Sequence, residues 1–394
     1  MPTKVAIVGQ GYVGLPLAMS ATGAGHTVLG IDRDEKLVAS LNSGTSFIED
    51  IPDSALAEAI KNGYRASSSF EDISDCSIVV VCVPTPLDEK GSPDNSILVS
   101  AVHSISNFIK SDALLIIEST IAPGTMRRVV APIVVDKLGN KEFDLVFSPE
   151  RIDPLNKKWN LQNTPKLVAG MNDRALARAT EFYSTFVSEV VPGSSVEVIE
   201  TAKLLENSFR FINISFINEI AIMCNALNIN VLDVIEAAAT KPYGFMPFYP
   251  GSGIGGHCIP VDPIYLASAA REAGSPSRFI ELARDINSAM PAHFVGRAVE
   301  KLGSLSGKKI IVIGVAYKAN VADTRESSSV RIIELLKSAG ANVSWHDELV
   351  KNWRGEKSSK LSQDFDLAIL ATPHDNIELD ALGSVPLIDT RGAN

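Results

Sequence analysis

A glycine-rich turn near the amino terminus constrains the fold of this chain more than any other feature. Lys4 to Val8 has the apolar, β-branched composition of a buried parallel strand, and a helix is predicted from Leu15 to Ala24. The intervening turn reads Gly-Gln-Gly-Tyr-Val-Gly, in which the glycines permit the tight turn, the approach of a pyrophosphate and close helix–strand packing. The pattern predicts a dinucleotide site at Gly9, Gly11, Tyr12, Val13 and Gly14. A turn without a ligand is the alternative.

The residue after the second predicted strand indicates which dinucleotide binds. Thr27 to Ile31 is followed by Asp32, where a carboxylate can bond a ribose 2′-hydroxyl and repel a 2′-phosphate. This favours NAD over NADP. Arg33 is also a candidate cofactor contact, because an arginine at this place can accept the phosphate of NADP.

Three further apolar strands end in polar residues. They are predicted at Ser77 to Val83, Ala113 to Ile117 and Phe143 to Phe147. Ligands of an open α/β sheet bind beyond the carboxyl ends of its strands. We therefore expect Pro84, Thr85, Ser119 and Thr120 at the cofactor, and Glu150 as a candidate base. Helix caps and an exposed loop carboxylate are the alternatives.

A second glycine-rich stretch delivers a cysteine. Residues 251–256 read Gly-Ser-Gly-Ile-Gly-Gly, and His257, Cys258 and Asp262 follow. Such a run suits a flexible loop that lies close to a ligand, and a thiol at its end is a candidate nucleophile. A surface turn with an inert cysteine is the alternative. Asp262 before Pro263 is also typical of a helix N-cap, and His257 is the histidine of most interest, the others being expected at structural or surface positions.

The middle of the chain predicts a long helix from Val196 to Leu227 that is apolar nearly all round. A helix of this kind is buried on several sides, which domain packing and a dimer interface would explain. Lys203 and Asn207 lie four residues apart and share one face. In a cleft, this pair could stabilise an oxyanion. A snorkelling lysine beside a solvated amide is the alternative.

The carboxyl-terminal third repeats the pattern of the first. Strands are predicted at Lys308 to Val315 and Ala341 to Trp345, followed by Asp366 to Leu370 and Val385 to Ile388. Its first turn lacks GxGxxG, so a second dinucleotide is not expected. Lys318 and Arg325 lie near a strand end and suit an anion such as a nucleotide diphosphate, with surface salt bridges as the alternative. The predicted fold is α/β, with two Rossmann-like doubly wound domains (1–190 and 301–394) joined by an all-helical domain (191–300).

Composition excludes several classes of protein. The 394 residues are 45% hydrophobic with a net charge of −10, which argues against a nucleic-acid-binding protein. We expect no signal peptide and no membrane span, because the chain enters a strand almost at once and has no sufficiently long apolar run. The four cysteines lack metal-ligand spacing, so we expect reduced thiols, no metal and a cytoplasmic location.

Together these runs resemble the UDP-glucose/GDP-mannose dehydrogenase family over essentially the whole chain. The matching segments are Gly9–Gly14, Val83–Pro86, Ser119–Thr120 with Pro123–Thr125, Ser148–Glu150, Lys203 with Asn207, Gly255–Cys258 with Asp262, and Lys318 with Asp323–Ser327. The resemblance implies an NAD domain, a helical dimerisation core and a nucleotide-sugar domain. It also implies two successive NAD-dependent oxidations that convert a sugar C6 alcohol into a carboxylate.

The resemblance further implies a role for each matching residue. Cys258 would form a thiohemiacetal and then a thioester, and Lys203 and Asn207 would hold the oxyanion. Thr120 and Asp262 would position the water or proton acceptor of alcohol oxidation, and Glu150 would activate water for thioester hydrolysis. Arg325 would lie near the cofactor. The substrate contacts would be Glu150, Arg151, Lys203, Asn207, Tyr249, Gly251, Gly255, Gly256, Lys318 and Arg391.

The residues around the cysteine indicate the substrate branch. UDP-glucose enzymes usually carry a lysine between the cysteine and the aspartate, where this chain has Ile-Pro-Val. The run Gly256–Pro263 and the arginine of Ser148–Arg151 resemble the UDP-N-acetylhexosamine branch instead. We favour UDP-N-acetylglucosamine over UDP-N-acetylmannosamine, with UDP-glucose, a single-step hydroxyacid dehydrogenase and an NAD-binding regulator as alternatives. An arginine that some members lend to the neighbouring subunit has no match near Lys241.

Overall fold

The computed structural model describes residues 3–48, 51–139, 143–153, 156, 158–256 and 258–392. His257 therefore lies outside the described residues. The chain divides into two compact units, residues 1–205 and 206–394. Over the described ranges, no helix has the length and apolar character needed to cross a membrane.

The first unit alternates strands and helices. Its strands are β1 (Lys4–Val8), β2 (Thr27–Ile31), β3 (Tyr64–Ser67), β4 (Ile78–Val81), β5 (Leu114–Ile117), β6 (Asp144–Phe147), β7 (Lys166–Gly170) and β8 (Val190–Pro192). Its helices are α1 (Gly14–Gly23), α2 (Glu35–Asn42), α3 (Asp53–Lys61), α4 (Ser96–Phe108), α5 (Ala131–Leu138) and α6 (Asp173–Tyr183). Helix α7 (Val196–Ala226) begins in this unit and continues into the next; a 3₁₀ turn (Phe70–Asp75) and a π turn (Met126–Val130) complete the unit.

These strands form one sheet in the order β3-β2-β1-β4-β5-β6-β7-β8. All neighbours are parallel except β6 and β7. The first six strands follow the order 3-2-1-4-5-6 of dinucleotide-binding sheets, in which a ligand lies where the strand order reverses. That point is between β1 and β4, at the carboxyl end of β1, where the GxGxxG turn begins.

Strand β1 shows why the sheet is buried on both faces. Val5 and Ile7 belong to one hydrophobic cluster, whereas Ala6 and Val8 belong to another. Successive side chains of a strand point to opposite faces, and helices cover both faces of a parallel sheet. An uninterrupted apolar strand is therefore stable here, as the sequence predicts.

The described residues of the second unit form four more helices and a smaller sheet. The helices are α8 (Val231–Ala239), α9 (Asp262–Glu272), α10 (Arg278–Leu302) and α11 (Ser328–Ser338). The strands are β9 (Lys309–Ile313), β10 (Asn342–His346), β11 (Asn352–Trp353), β12 (Glu356–Lys357), β13 (Leu367–Leu370) and β14 (Leu387–Asp389), with a 3₁₀ turn at Leu379–Leu382. Strands β10-β9-β13-β14 form a parallel sheet, and β11 pairs with β12 as a hairpin.

The two parallel sheets confirm the predicted α/β class and the repeat of the first third in the last. Gly314 after β9 has φ +83°, and an added Cβ would lie 2.0 Å from the Thr372 carbonyl oxygen. Gly9 after β1 has φ +92° and the same kind of neighbour, the Cys82 carbonyl oxygen at 2.7 Å. Both first turns therefore require glycine for the same reason, namely the close approach of the strand across the switch point.

The strand lengths differ from the sequence predictions. Most strands are shorter than predicted; for example, Ser77 to Val83 becomes Ile78–Val81, because the chain leaves the ladder to form the loop at the strand end. The predicted long helix is present as α7, and part of its apolar surface is exposed within this chain. Its exposed large side chains include Leu205, Phe209, Phe216 and Met223, each at least 48% exposed.

Candidate active site

The three motif glycines of the first turn meet different surroundings. A Cβ on Gly9 or Gly14 would clash with backbone, at 2.7 Å from the Cys82 carbonyl oxygen and 1.8 Å from the Gly9 carbonyl oxygen respectively. A Cβ on Gly11 would meet no protein atom within 4 Å. The protein's own packing thus explains Gly9 and Gly14, whereas Gly11 leaves an open surface before α1 that fits a diphosphate.

Asp32 lies directly after β2 with its carboxylate held by the turn. One oxygen accepts a hydrogen bond from the Gln10 backbone N–H (2.8 Å) and the other from the Asp34 N–H (3.0 Å). Asp32 remains partly exposed, and Arg33 beside it is exposed. Tyr12 is also exposed and packs edge-on against Phe47. The arrangement fits the binding of an adenosine ribose.

Ser119 joins the ends of β4 and β5. Its hydroxyl is buried and donates to the Val83 carbonyl oxygen at 2.7 Å. Thr85 and Thr120 are half-buried at the same carboxyl edge, and Pro84 is exposed. The predicted cofactor residues of these loops therefore lie along one edge, and the Ser119 hydroxyl is used within the protein.

Glu150 belongs to a buried ionic cluster. Its carboxylate accepts the backbone N–H groups of Arg151 and Ile152, each at 2.6 Å, and lies 3.5 Å from the Lys166 ammonium. Lys166 begins β7 and also pairs with Glu118 at 3.0 Å. The Tyr183 hydroxyl at the end of α6 donates a short hydrogen bond to Glu118. Strand ends and a helix end thus bring together four ionisable groups that are distant in the chain.

Burial and charge oppose each other in this cluster. Burial raises the pKa of the Glu118 carboxyl against the lowering effect of Lys166. Burial also disfavours the charge on Lys166, but Glu118 and Glu150 outweigh it and raise the pKa of the ammonium. Burial raises the pKa values of the nearby Cys82 thiol and the Tyr183 phenol well above their usual range. The cluster therefore contains one firmly charged cation and two neutral neighbours.

Side chains anchor the glycine-rich loop of the second unit. The Gly251 N–H donates to the Asn218 amide oxygen (2.9 Å), and the Ile254 N–H donates to the Asn287 amide oxygen (2.7 Å). The Ser252 hydroxyl lies 2.6 Å from that of Ser328. These bonds tie the loop to α7, α10 and α11, because its glycines leave backbone groups that side chains can reach.

The surroundings of the loop glycines also differ from one position to the next. A Cβ on Gly255 would lie 2.5 Å from the Glu326 carbonyl oxygen, and one on Gly256 would lie 2.8 Å from the Tyr317 ring. A Cβ on Gly251 would meet nothing within 4 Å. Gly255 and Gly256 therefore allow the loop to pack within the unit, while Gly251 has open space beside its Cα. Tyr249 just before it is exposed.

Cys258 is exposed where the loop enters α9. Its carbonyl oxygen accepts the Asp262 N–H at 2.9 Å, and the Asp262 carboxylate accepts the Asn207 amide N–H at 2.6 Å. This contact connects α7 with the cysteine turn, and Lys203 is buried one turn before Asn207. Three of the predicted residues, Cys258, Asp262 and Asn207, are thus brought together.

The predicted N-cap role of Asp262 is wrong. Val261 holds the cap position of α9 and makes no side-chain capping bond, and Asp262 is the first helical residue. The Asp262 carboxylate instead accepts a hydrogen bond from the Asn207 amide. Tertiary contact therefore overrides the local capping signal.

The predicted cations of the second unit lie in loops at strand ends. Arg325 pairs with Asp323 at 2.5 Å and Arg391 with Asp389 at 2.6 Å, so local salt bridges orient both guanidinium groups. Lys318 is half-buried after β9.

Three histidines outside the loop have structural contacts. His26 bonds Thr185, His346 lies 2.7 Å from the Ser359 carbonyl oxygen, and His374 accepts the Asn320 N–H.

Several site residues are not among those predicted from the sequence. Lys166 and Tyr183 complete the Glu150 cluster, and Asn218 and Asn287 anchor the loop. Glu118 was detectable, because it directly follows β5 as the polar residues of the other strand ends do. Lys166 gave no such signal, since it begins an antiparallel neighbour of β6 whose position only the folded sheet reveals.

A doubly wound sheet with an open glycine at its switch point and an acidic residue after β2 defines an NAD-dependent dehydrogenase. Comparison with known proteins agrees and is more specific. The chain belongs to the UDP-glucose/GDP-mannose dehydrogenase family: its NAD binding domain model matches residues 3–187, its central domain 197–289 and its UDP binding domain 311–393.

Characterised relatives cover nearly the whole chain. A UDP-N-acetyl-D-glucosamine 6-dehydrogenase of Pseudomonas aeruginosa is 34% identical over 88% of this chain and 83% of its own. A UDP-N-acetyl-D-mannosamine dehydrogenase of Pyrococcus horikoshii is 33% identical over 94% of this chain and 89% of its own. A solved structure of UDP-D-ManNAc dehydrogenase from Pyrococcus horikoshii superposes with a TM-score of 0.91 at 32% identity, covering 98% of this chain and 95% of the other.

Proposed function

We propose that this protein is an NAD-dependent UDP-N-acetylhexosamine 6-dehydrogenase that uses Cys258 as a covalent nucleophile. The observation that carries the proposal is the exposed Cys258 at the end of the anchored glycine-rich loop, joined through Asp262 to Asn207. NAD, when bound at Gly11 and Asp32, supplies the hydride acceptor for both oxidations. The family of the chain and its UDP binding domain support a nucleotide-sugar substrate.

In the first oxidation, the C6 alcohol loses a proton and a hydride and becomes an aldehyde. We assign Thr120 and Asp262 to the water or proton acceptor that removes the hydroxyl proton. Asp262 is suited to this role because it is buried and the Asn207 amide fixes one carboxylate oxygen at 2.6 Å. An oriented carboxylate loses less freedom when it takes part in proton transfer.

In the second oxidation, the Cys258 thiolate adds to the aldehyde carbon and gives a thiohemiacetal. Loss of a second hydride converts this adduct into a thioester, and the alkoxide oxygen becomes the thioester carbonyl. Lys203 and Asn207, one helical turn apart on α7, would stabilise the developing oxyanion. A buried ammonium is suited to this role, because charge interactions are stronger away from water.

Hydrolysis of the thioester releases the uronic acid and regenerates the thiol. Glu150 would take a proton from the attacking water, and the proton finally returns to the thiolate or to solvent. The remaining substrate contacts would be Arg151, Tyr249, Gly251, Gly255, Gly256, Lys318 and Arg391, with Arg325 near the cofactor. The open space beside the Gly251 Cα and the half-buried Lys318 support the binding of a diphosphate there.

We favour UDP-N-acetylglucosamine as the substrate, with UDP-N-acetylmannosamine and UDP-glucose as alternatives. The residues between Cys258 and Asp262 support the N-acetylhexosamine branch, and relatives of both N-acetyl types are similar to this chain.

We also propose a homodimer through α7 and a cytoplasmic location. No disulfide joins the four cysteines, all of which lie in the described part of the chain, and this suits a reducing compartment.

A panel of four UDP sugars with NAD, followed by absorbance of NADH, tests the proposal. We expect two NADH for each UDP-N-acetylglucosamine consumed and slower use of UDP-N-acetylmannosamine, UDP-glucose and UDP-galactose. Cys258→Ser should fold but lose steady turnover by several powers of ten, or accumulate an ester visible as a mass increase, because an alkoxide leaves poorly. Cys224→Ala is the control, since that thiol is buried.

Near-normal uronic acid production by Cys258→Ser would refute covalent catalysis. One NADH for each sugar, with an aldehyde product, would instead indicate a single-step dehydrogenase. If no UDP sugar gave NADH, the protein would be an NAD-binding regulator.

A further inference from the structure

The Glu118–Lys166–Glu150 cluster contains a buried ammonium, that of Lys166. The proposed role of Glu150 in thioester hydrolysis does not by itself explain this charge. The Lys166 side chain is 4% exposed and that of Glu118 is fully buried, whereas the Glu150 side chain retains 15% exposure. Only Glu150 therefore reaches the surface of the cluster. The Lys166 ammonium lies between the two carboxylates, 3.0 Å from Glu118 and 3.5 Å from Glu150.

Burying an ammonium and a carboxylate costs free energy that a well-packed apolar pair would avoid. Here the pair faces a third, partly exposed carboxylate. With Glu150 ionised, the three side chains carry two negative charges and one positive charge. With Glu150 protonated, Lys166 and Glu118 still balance each other, so no buried charge is left unpaired when Glu150 accepts a proton.

We propose that Lys166 and Glu118 are positioning residues that act through Glu150. Lys166 orients the Glu150 carboxylate, while Glu118 takes up part of the ammonium charge so that Glu150 can act as a base. This proposal rests on the proposed role of Glu150 in hydrolysis. It gives Lys166 and Glu118, both buried, a part in the function of the Glu150 carboxylate.

The other groups around Glu150 do not substitute for this pair. The Arg151 and Ile152 N–H groups fix one carboxylate oxygen but carry no net charge. The Tyr183 phenol and the Cys82 thiol, whose pKa values burial raises well above the usual range, stay neutral at physiological pH. The Tyr183 hydroxyl donates a hydrogen bond to Glu118, and the Lys166 ammonium also lies over the Tyr183 ring, 5.2 Å from the centroid. The Arg151 guanidinium donates to the Pro165 carbonyl oxygen at 2.7 Å, and among the described residues the ion pairs to both carboxylates come from Lys166.

A titration of Glu150 that does not depend on turnover tests the proposal. The protein is labelled with [5-¹³C]glutamate, and the Glu150 carboxyl signal is assigned by its loss in Glu150→Gln. In Lys166→Met the titration midpoint of Glu150 should rise by about one to three pH units, because an opposite charge has been removed. In Glu118→Gln the midpoint should fall, because a negative neighbour has been removed and Lys166 then pairs with Glu150 alone.

Two further variants separate this role from a merely structural one. The double variant Lys166→Met/Glu118→Gln removes both charges of the pair, which is tolerated better than removing one, and its midpoint should lie between those of the single variants. Asp144→Asn is the structural control. Asp144 is a buried carboxylate of the same sheet that pairs with Arg174 and Arg178 at 2.8 and 2.6 Å. Its loss should reduce stability and leave the Glu150 midpoint in place.

Activity provides the second readout. The acid limb of the hydrolysis rate, measured after the burst of NADH, should move in the same direction as the carboxyl midpoint in each variant. Equal midpoints in the unaltered protein and the Lys166 and Glu118 variants would overturn the inference. Shifted midpoints in a protein that oxidises no UDP sugar would support the cluster while refuting the proposed function.

Discussion

At the scale of single residues, the same residue type serves different purposes according to its surroundings. Asp32 and Asp347 both follow the second strand of a Rossmann-like sheet. Asp347 is buried and accepts hydrogen bonds from the Val315 and Val350 N–H groups while His374 lies 3.1 Å away. Burial opposes its ionisation, but these bonds outweigh burial and lower the pKa of Asp347 to about 2. Asp347 is therefore committed to the fold, whereas Asp32 is partly exposed.

Exchanging Asp32→Ser should weaken the preference for NAD over NADP. Loss of a charge-assisted hydrogen bond and of repulsion toward the 2′-phosphate should reduce the ratio of kcat/KM values about ten- to hundredfold. The same ratio measured for Asp347→Ser provides the control, which should lose thermal stability and keep its cofactor preference. Equal use of both cofactors by the unaltered protein would contradict the NAD assignment.

Glu200 should give the protein a pH-dependent stability. Its buried carboxylate accepts the Gly124 N–H (2.5 Å) and the Met126 N–H (2.9 Å), but burial dominates and raises its pKa to about 7. Because the folded state then binds a proton more tightly than the unfolded state, stability falls as pH rises from about 4.5 to about 7. The difference is on the order of 3 kcal/mol.

Urea unfolding of Glu200→Gln and of the unaltered protein at pH 5 and pH 8 tests the predicted pH dependence of stability. The free energy of unfolding of the variant, relative to the unaltered protein, should be higher at pH 8 than at pH 5. The same relative value at both pH values would show that the two amide bonds, rather than burial, determine the protonation of Glu200.

At the scale of elements, the glycine-rich loop combines two kinds of glycine. Gly256 has φ +89° and lies against the Tyr317 ring, so it serves the packing of the unit, whereas Gly251 faces open space. Gly256→Ala should therefore reduce stability by about 1–3 kcal/mol. Gly251→Ala should keep the melting temperature and raise the KM for the UDP sugar. Thermal melts and steady-state kinetics separate the two effects, and similar melting temperatures would contradict the distinction.

At the scale of the whole molecule, α7 presents apolar side chains that this chain leaves exposed. Along the helix, Leu205, Phe209, Phe216 and Met223 recur at intervals of four or seven residues, and Leu227 follows just after its end. Each of the five is 48–59% exposed. A monomer rarely exposes so continuous an apolar surface. A second copy of the chain is the occupant that we propose, through a symmetric contact of the kind common in homodimers.

Light scattering at micromolar concentration should therefore give the mass of a dimer. Phe216→Glu should shift the protein toward the monomer, because a charge in an apolar interface loses its hydration. Phe108→Ser, which changes an exposed apolar residue of α4, serves as the control. A monomeric unaltered protein would refute the dimer.

Local patterns in the sequence determine much of this protein. Glycines with positive φ, apolar strands and polar strand ends act through near neighbours, so the first turn, Asp32 and the cysteine loop were predictable from residue order. The spacing of Lys203 and Asn207 likewise follows from helical periodicity.

Only the tertiary structure decided which distant groups meet. Lys166 acquires its importance because β7 lies beside β6, which places its ammonium between two carboxylates from other strand ends. Asp262 has the local pattern of a cap but bonds Asn207, some 55 residues away in the chain, because α7 lies within reach. Burial and pairing depend on the packed fold, and these long-range terms, rather than local propensity, determine the charges of the candidate site.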